Sequence, residues 1–150
     1  MIQPFRLHSL PRQAMATAQA LTIGNFDGVH LGHQRLLAGM AECGLPRSVL
    51  TFEPLPRELF LGNKAPIRLS SLREKTATLR HYGADQVVCA RFDTALAALS
   101  AEDFVEQIVV RRLRVRELFV GHDFRFGAQR RGDFALLQQM GRRYGFVVHE

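Results

Sequence analysis

The chain has 150 residues, 47% hydrophobic and 23% charged, and a net charge of +6. That length suits one domain with a single sizeable core, and the composition excludes disordered and fibrous classes. No apolar run is long enough to span a membrane, and residues 1–20 lack the compact apolar stretch of a secretory signal.

In chain order, the start reads as an edge segment. Five short apolar runs then read as strands: "ALTIGNF" (20–26), "SVLTFE" (48–53), "QVVCARF" (86–92), "ELFVGHDF" (117–124) and "FVVHE" (146–150). They are rich in Val and Phe, as strands covered on both faces are. Helical patterns lie between them. "LGHQRLLAGMAECG" places Leu36, Leu37, Met40 and Ala41 on one face. "SSLREKTATLRHYG" has Ser71 and Glu74 at capping-box spacing and stops at Gly83. "SAEDFVEQIVVRRL" repeats that spacing with Ser100 and Asp103, and "GDFALLQQMGRRYG" stops at Gly145. Alternating strands and helices predict an α/β fold, a parallel five-stranded sheet with helices on both faces. The stretch 53–69, with three prolines, reads as a long loop.

Cys43 and Cys89 are isolated, without ligand spacing. They read as small buried apolar residues in a reducing cytoplasm. Of the 20 basic residues only Lys64 and Lys75 are lysines. The run "RRLRVR" (111–116) reads as a solvated helix face. No aromatic residue interleaves with it to stack bases, so neither a nucleic-acid partner nor a membrane is expected.

The stretch "LTIGNFDGVHLGH" (21–33) is the most informative. It sits where a strand gives way to a helix, the place where parallel sheets bind ligands. Gly24 and Gly28 permit tight bends. Gly32 falls in the first helical turn, where a missing side chain admits a phosphate near free N–H groups. His30 and His33, three apart, project to one side and can donate to phosphate oxygens. Donors fixed there stabilise charge on a phosphoryl group in flight. A metal site lacks a third ligand with recognisable spacing, so no metal ligands are assigned. Simple capping of backbone groups by both histidines is disfavoured beside three glycines. GxGxxG and GxxxxGK[ST] are both absent.

These residues resemble a known family. "GNFDGVHLGH" is similar to the signature of bacterial FMN adenylyltransferases, the N-terminal module of riboflavin kinase/FAD synthetases. His30-Leu31-Gly32-His33 matches the HxGH core of the nucleotidylyltransferase superfamily. "TFEPLPRELF" (51–60) resembles the family's TFxPxPxxxF loop, and "FVGHDFRFG" (119–127) its VGxDFRFG segment. The resemblance covers essentially the whole chain.

It implies a Rossmann-like nucleotidylyltransferase fold and transfer of AMP from ATP to FMN, giving FAD and pyrophosphate with Mg2+. It assigns His30 and His33 to the transition state and Gly24, Asn25, Phe26, Asp27 and Gly32 to ATP. It assigns Pro54, Pro56, Phe60, Phe104, Asp123 and Phe126 to FMN. Phe52 and Phe124 read as core. Leu55 stands where many relatives carry His. The family's later Ser/Thr-rich motif and its riboflavin kinase domain do not occur within the 150 residues, so a C-terminally truncated adenylyltransferase domain (1–150) is expected. The alternatives are a nucleotide- or flavin-binding fragment without turnover, and an adenylyl- or cytidylyltransferase with another acceptor.

Overall fold

A computed structural model describes residues 5–150. All five apolar runs form strands, and a sixth precedes them. The strands are β1 (Arg6–Ser9), β2 (Gln19–Ile23), β3 (Arg47–Glu53), β4 (Gln86–Arg91), β5 (Val115–Phe119) and β6 (Val147–His149). They form one sheet in the order β1-β4-β3-β2-β5-β6, and every pairing is parallel. The expected count of five omitted β1. Its short, half-polar sequence RLHS lies at the sheet edge with one neighbour, so it lacks the apolar run of a covered strand.

The helices are α1 (Leu31–Met40), α2 (Pro56–Leu61), α3 (Leu72–His81), α4 (Thr94–Ala97), α5 (Ala101–Phe104) and α6 (Phe134–Tyr144). Segment α5 continues in π-helical turns over Val105–Arg112, closed by Leu113 N donating to Ile108 O at 2.9 Å. The expected cap of α3 forms in both directions. Ser71 Oγ accepts from Glu74 N at 3.1 Å, and Ser71 N donates to Glu74 Oε1 at 3.2 Å. Ser100 likewise caps α5 through Asp103 N at 3.0 Å.

The sheet separates two apolar layers. On one face Leu21, Ile23, Leu50, Val88 and Leu118 meet Val105, Ile108, Val109, Leu137 and Met140. On the other, Ala20, Val49, Val87 and Phe119 meet Leu37, Met40 and Leu79. Both faces are covered, as the apolar strands required. A polar chain also crosses four strands. His8 Nε2 lies 3.0 Å from Gln86 Oε1, Gln86 Nε2 donates to Ser48 Oγ and Gln19 Oε1, and Ser48 Oγ donates to Gln19 Oε1 at 2.7 Å.

Three expectations are corrected. The stretch 53–69 is not all loop, because it contains α2 and a 3-10 turn at Gly62–Lys64. Pro56 begins α2, and Glu58 Oε1 accepts from Leu55 N at 2.8 Å, so a proline-rich segment starts a helix well. The "RRLRVR" run is not one helix face. Arg112 is half-buried, Arg114 takes a left-handed turn (φ 51) and Arg116 lies on β5. Arg114 Nη1 donates to Met15 O at 3.2 Å and to Ala16 O at 2.6 Å. Finally, Cys43 and Cys89 are half-buried free thiols, since both sit at the margins of the apolar layers.

The topology places the site. From β2 the chain moves through β3 to β4 on one side, then returns to β5 on the other side of β2. The β2/β5 boundary is therefore the switch point, and parallel sheets bind ligands beyond the carboxyl ends of the strands at such a point.

Candidate functional site at the switch point

Three loops leave the carboxyl ends of the neighbours β3, β2 and β5, and each carries one of the recognised motifs. The turn after β2 starts at Gly24, whose N–H donates to Leu50 O at 3.1 Å. Phe26 then takes a positive φ of 51 and turns its ring under the turn, where it is 1% exposed. A Cβ at Gly24 would lie 3.2 Å from that ring, so this glycine makes room for Phe26. Phe26 thus offers backbone alone to a ligand. Asn25 is exposed beside it.

His30 is the N-cap of α1. Its Nδ1 accepts from Gly32 N at 3.0 Å, and His33 Nδ1 accepts from His30 N at 3.3 Å. The two histidines therefore form a reciprocal cap, which the sequence reading had disfavoured. Capping and phosphate donation are compatible because they use different atoms. A ring that accepts at Nδ1 carries its proton on Nε2, and neither Nε2 has a partner among the described residues. The rings stack with centroids 3.6 Å apart, and Phe26 meets the His33 ring edge-on at 4.7 Å. Burial, helped by the adjacent His30, pulls the His33 pKa down to about 4. The ring is neutral at physiological pH, as its accepting Nδ1 requires.

Gly32 differs from expectation. The space at its Cα is filled by the His30 ring, since a Cβ there would meet His30 Cε1 at 2.8 Å. The glycine lets the imidazole fold back onto the first turn rather than leaving a gap for phosphate.

Asp27 is anchored inside the protein. Its side chain is 8% exposed, pairs with Arg57, and accepts from Leu69 N at 2.8 Å and Ser70 N at 2.9 Å. Burial opposes its charge, but those two N–H groups and the Arg57 guanidinium outweigh burial and hold its pKa below the usual range. Arg68 binds Glu53 through two bonds, at 2.8 and 3.1 Å, and also pairs with Glu58. The stretch between β3 and α3 is thereby tied to the turn after β2. Below that turn Lys75 is buried, and its Nζ donates to Asn25 O.

The FMN-side residues divide into two groups. Pro54, Phe60 and Asp123 are exposed and Pro56 is half-buried. Phe60 is 68% exposed, with Phe92 at 5.9 Å between ring centroids. Phe104 and Phe126 are instead members of the main core, 5.7 Å apart. Phe126 is fixed by a two-way backbone bridge to Gly132, at 3.1 and 2.8 Å. The family resemblance assigned both to the flavin, but packing has turned both rings inward. Phe52 is core as expected, and Phe124 packs against its edge. Two cavities lie away from the histidines. One of 480 Å³ runs beside β4 and the π-helical turns, touching the site only through Glu53, and one of 830 Å³ lies beside β1 and α3.

The sequence reading missed Arg57, Lys75 and the Leu69–Ser70 backbone. A signal existed for Lys75. It falls on the stripe of Leu72, Thr76 and Leu79 in α3, a lysine where a core residue belongs.

Residues 12–150 match the family model described as FAD synthetase. The chain belongs to the FAD synthetase family. It is 54% identical over 146 residues to the bifunctional riboflavin kinase/FMN adenylyltransferase of Escherichia coli K12, covering 95% of this chain and 46% of that protein. The enzyme of the same name from Haemophilus influenzae is 48% identical over 135 residues, covering 87% of this chain and 44% of that protein. The chain thus spans about half the length of these relatives. A crystal structure of a macrolide-efflux protein from Streptococcus pneumoniae superposes with a TM-score of 0.81 at 18% identity, covering 96% of this chain and 49% of that one. At that identity the likeness shows a shared fold and nothing of function.

Proposed function

We propose that the chain is an FMN adenylyltransferase module that transfers AMP from ATP to FMN and releases pyrophosphate. The observation that carries this reading is the reciprocally capped His30–His33 pair at a helix start on the switch point. Its caps leave two Nε2–H donors pointing away from the backbone. An oxygen of the FMN phosphate forms the new bond to the α-phosphorus of ATP, and the bond to pyrophosphate breaks. His30 and His33 donate to the phosphate oxygens as charge builds, and act without a covalent intermediate. The backbone of Gly24, Asn25, Phe26 and Gly32 lines the nucleotide side, and Asp27 holds that turn in place. Pro54, Pro56, Phe60 and Asp123 form the accessible flavin wall. Phe104 and Phe126 support it from the core.

Among the described residues no group of three His, Cys, Asp or Glu side chains forms a metal cage. Asp27 is fully engaged with its own chain. Magnesium would therefore be carried in by the triphosphate rather than held in a cage of these side chains. Bound there, it supplies charge neutralisation. We place the module in the cytoplasm, which suits its free thiols, and beside a riboflavin kinase domain that supplies FMN. No helix is long and apolar enough to cross a membrane.

The test is FAD formation from FMN, ATP and magnesium, followed by chromatography, for the parent chain and His33→Ala. The expected result is product from the parent and a roughly hundredfold lower turnover in the variant, with FMN affinity changed less than about twofold. A folded parent that binds FMN and ATP without making FAD overturns the transferase reading in favour of a binding fragment.

A further inference from the structure

Lys75 is 2% exposed, on the face of α3 that packs against the sheet. Its Nζ donates to Asn25 O at 2.8 Å and to Thr51 Oγ1 at 3.0 Å, and Thr51 Oγ1 donates to the same carbonyl at 3.2 Å. One ammonium thus joins α3, β3 and the turn after β2. Among the described residues it makes no ion pair. The carboxylates around it are engaged by others, Asp27 by Arg57, and Glu53 and Glu58 by Arg68. A buried ammonium without a paired carboxylate is unfavourable, and proteins retain one where something else balances it. Bonding the Asn25 carbonyl from below leaves the turn's outer surface to the anion that also meets the start of α1.

We infer that Lys75 is a positioning residue for the triphosphate, holding the turn of residues 24–28 from beneath while its buried charge is balanced by nucleotide phosphates. The inference rests on the nucleotide-transfer reading above. Burial lowers the Lys75 pKa, Glu53 and Asp27 act to raise it, and Arg68 acts to lower it, while the Cys89 thiol faces it from β4. Phosphate bound above the turn adds negative charge, so binding raises the pKa. By linkage, nucleotide affinity falls as pH rises past the value in the free protein.

The presence of only two lysines makes this directly readable. Lysine labelled with 13C at Cε gives two resonances, and Lys64→Arg assigns them. The Lys75 resonance is titrated with pH in the free protein, with a non-hydrolysable ATP analogue and magnesium, and with adenosine. The expected result is an upward shift of roughly half a unit or more with the analogue and none with adenosine. Bound analogue that leaves the Lys75 titration unmoved overturns the inference and leaves the transferase reading intact. A protein that makes no FAD and binds no nucleotide overturns both. Lys75→Met supplies a second reading, with analogue binding weakened roughly tenfold and FMN affinity within about twofold. Equal loss of both ligands shows a merely structural lysine. If that variant does not fold, the titration of the parent decides.

Discussion

The two histidines at the start of α1 each spend one ring nitrogen on a cap and leave the other without a partner among the described residues. Nδ1 closes the helix terminus, and this sets the proton on Nε2, where a phosphate can reach it. Burial of the His33 ring beside His30 has a measurable consequence for stability. His33 has a pKa of about 4 in the folded chain against 6.5 for a free imidazole. Between those values the unfolded chain binds a proton that the folded chain does not. Stability therefore falls as pH drops through this window, and the contribution is level above it. Urea unfolding from pH 7.5 to pH 4 will show this slope in the parent, and His33→Ala will show a shallower one. Gly32→Ala tests the same arrangement from the other side. Its Cβ would lie 2.8 Å from His30 Cε1, so the ring must swing off the helix terminus. The expected outcome is loss of about 1 kcal/mol of stability and a fall in turnover well beyond what that loss explains. Unchanged turnover would show that the folded-back ring has no part in the chemistry.

At the scale of elements, the turn after β2 and the segment entering α3 behave as one unit. Asp27 accepts the N–H groups of Leu69 and Ser70 and pairs with Arg57 of α2, so one carboxylate gathers three parts of the chain. Asp27→Asn puts a donor where an acceptor is needed. Partial exposure of Arg57 tempers the loss, which is expected to be about 2 kcal/mol. Thermal unfolding measures it, and faster hydrogen exchange confined to residues 66–72 is expected at the same time. The helices were legible where local chemistry suffices, as in the Ser71 and Ser100 caps. Helix α2 was not, because three prolines suggest a loop until the bond from Leu55 N to Glu58 supplies a start.

At the scale of the whole molecule, the polar chain of His8, Gln86, Ser48 and Gln19 runs across β1, β4, β3 and β2. Strands apolar on both faces lack the in/out alternation that otherwise helps to fix register, and these side chains mark it. Gln86→Leu removes one donor from the Ser48–Gln19 pair and the partner of His8 Nε2, at an expected loss of about 1–3 kcal/mol in denaturant unfolding. A neutral outcome would show that the apolar layers set the register alone.

By itself, the sequence determined the α/β alternation, the five apolar strands, the principal caps and the three motifs after strands. These are local patterns, written in the spacing of neighbouring residues. It also made the family legible, since "GNFDGVHLGH" and its two companions are short and contiguous. Tertiary structure alone decided the rest. It brought β2 beside β5, so that motifs far apart in the chain leave the same end of the sheet. It turned Phe104 and Phe126 into the core, filled the space at Gly32 with an imidazole, and set Lys75 under Asn25. Each outcome depends on which surfaces meet across the sheet, and contacts between distant residues leave no spacing in the chain from which to read them.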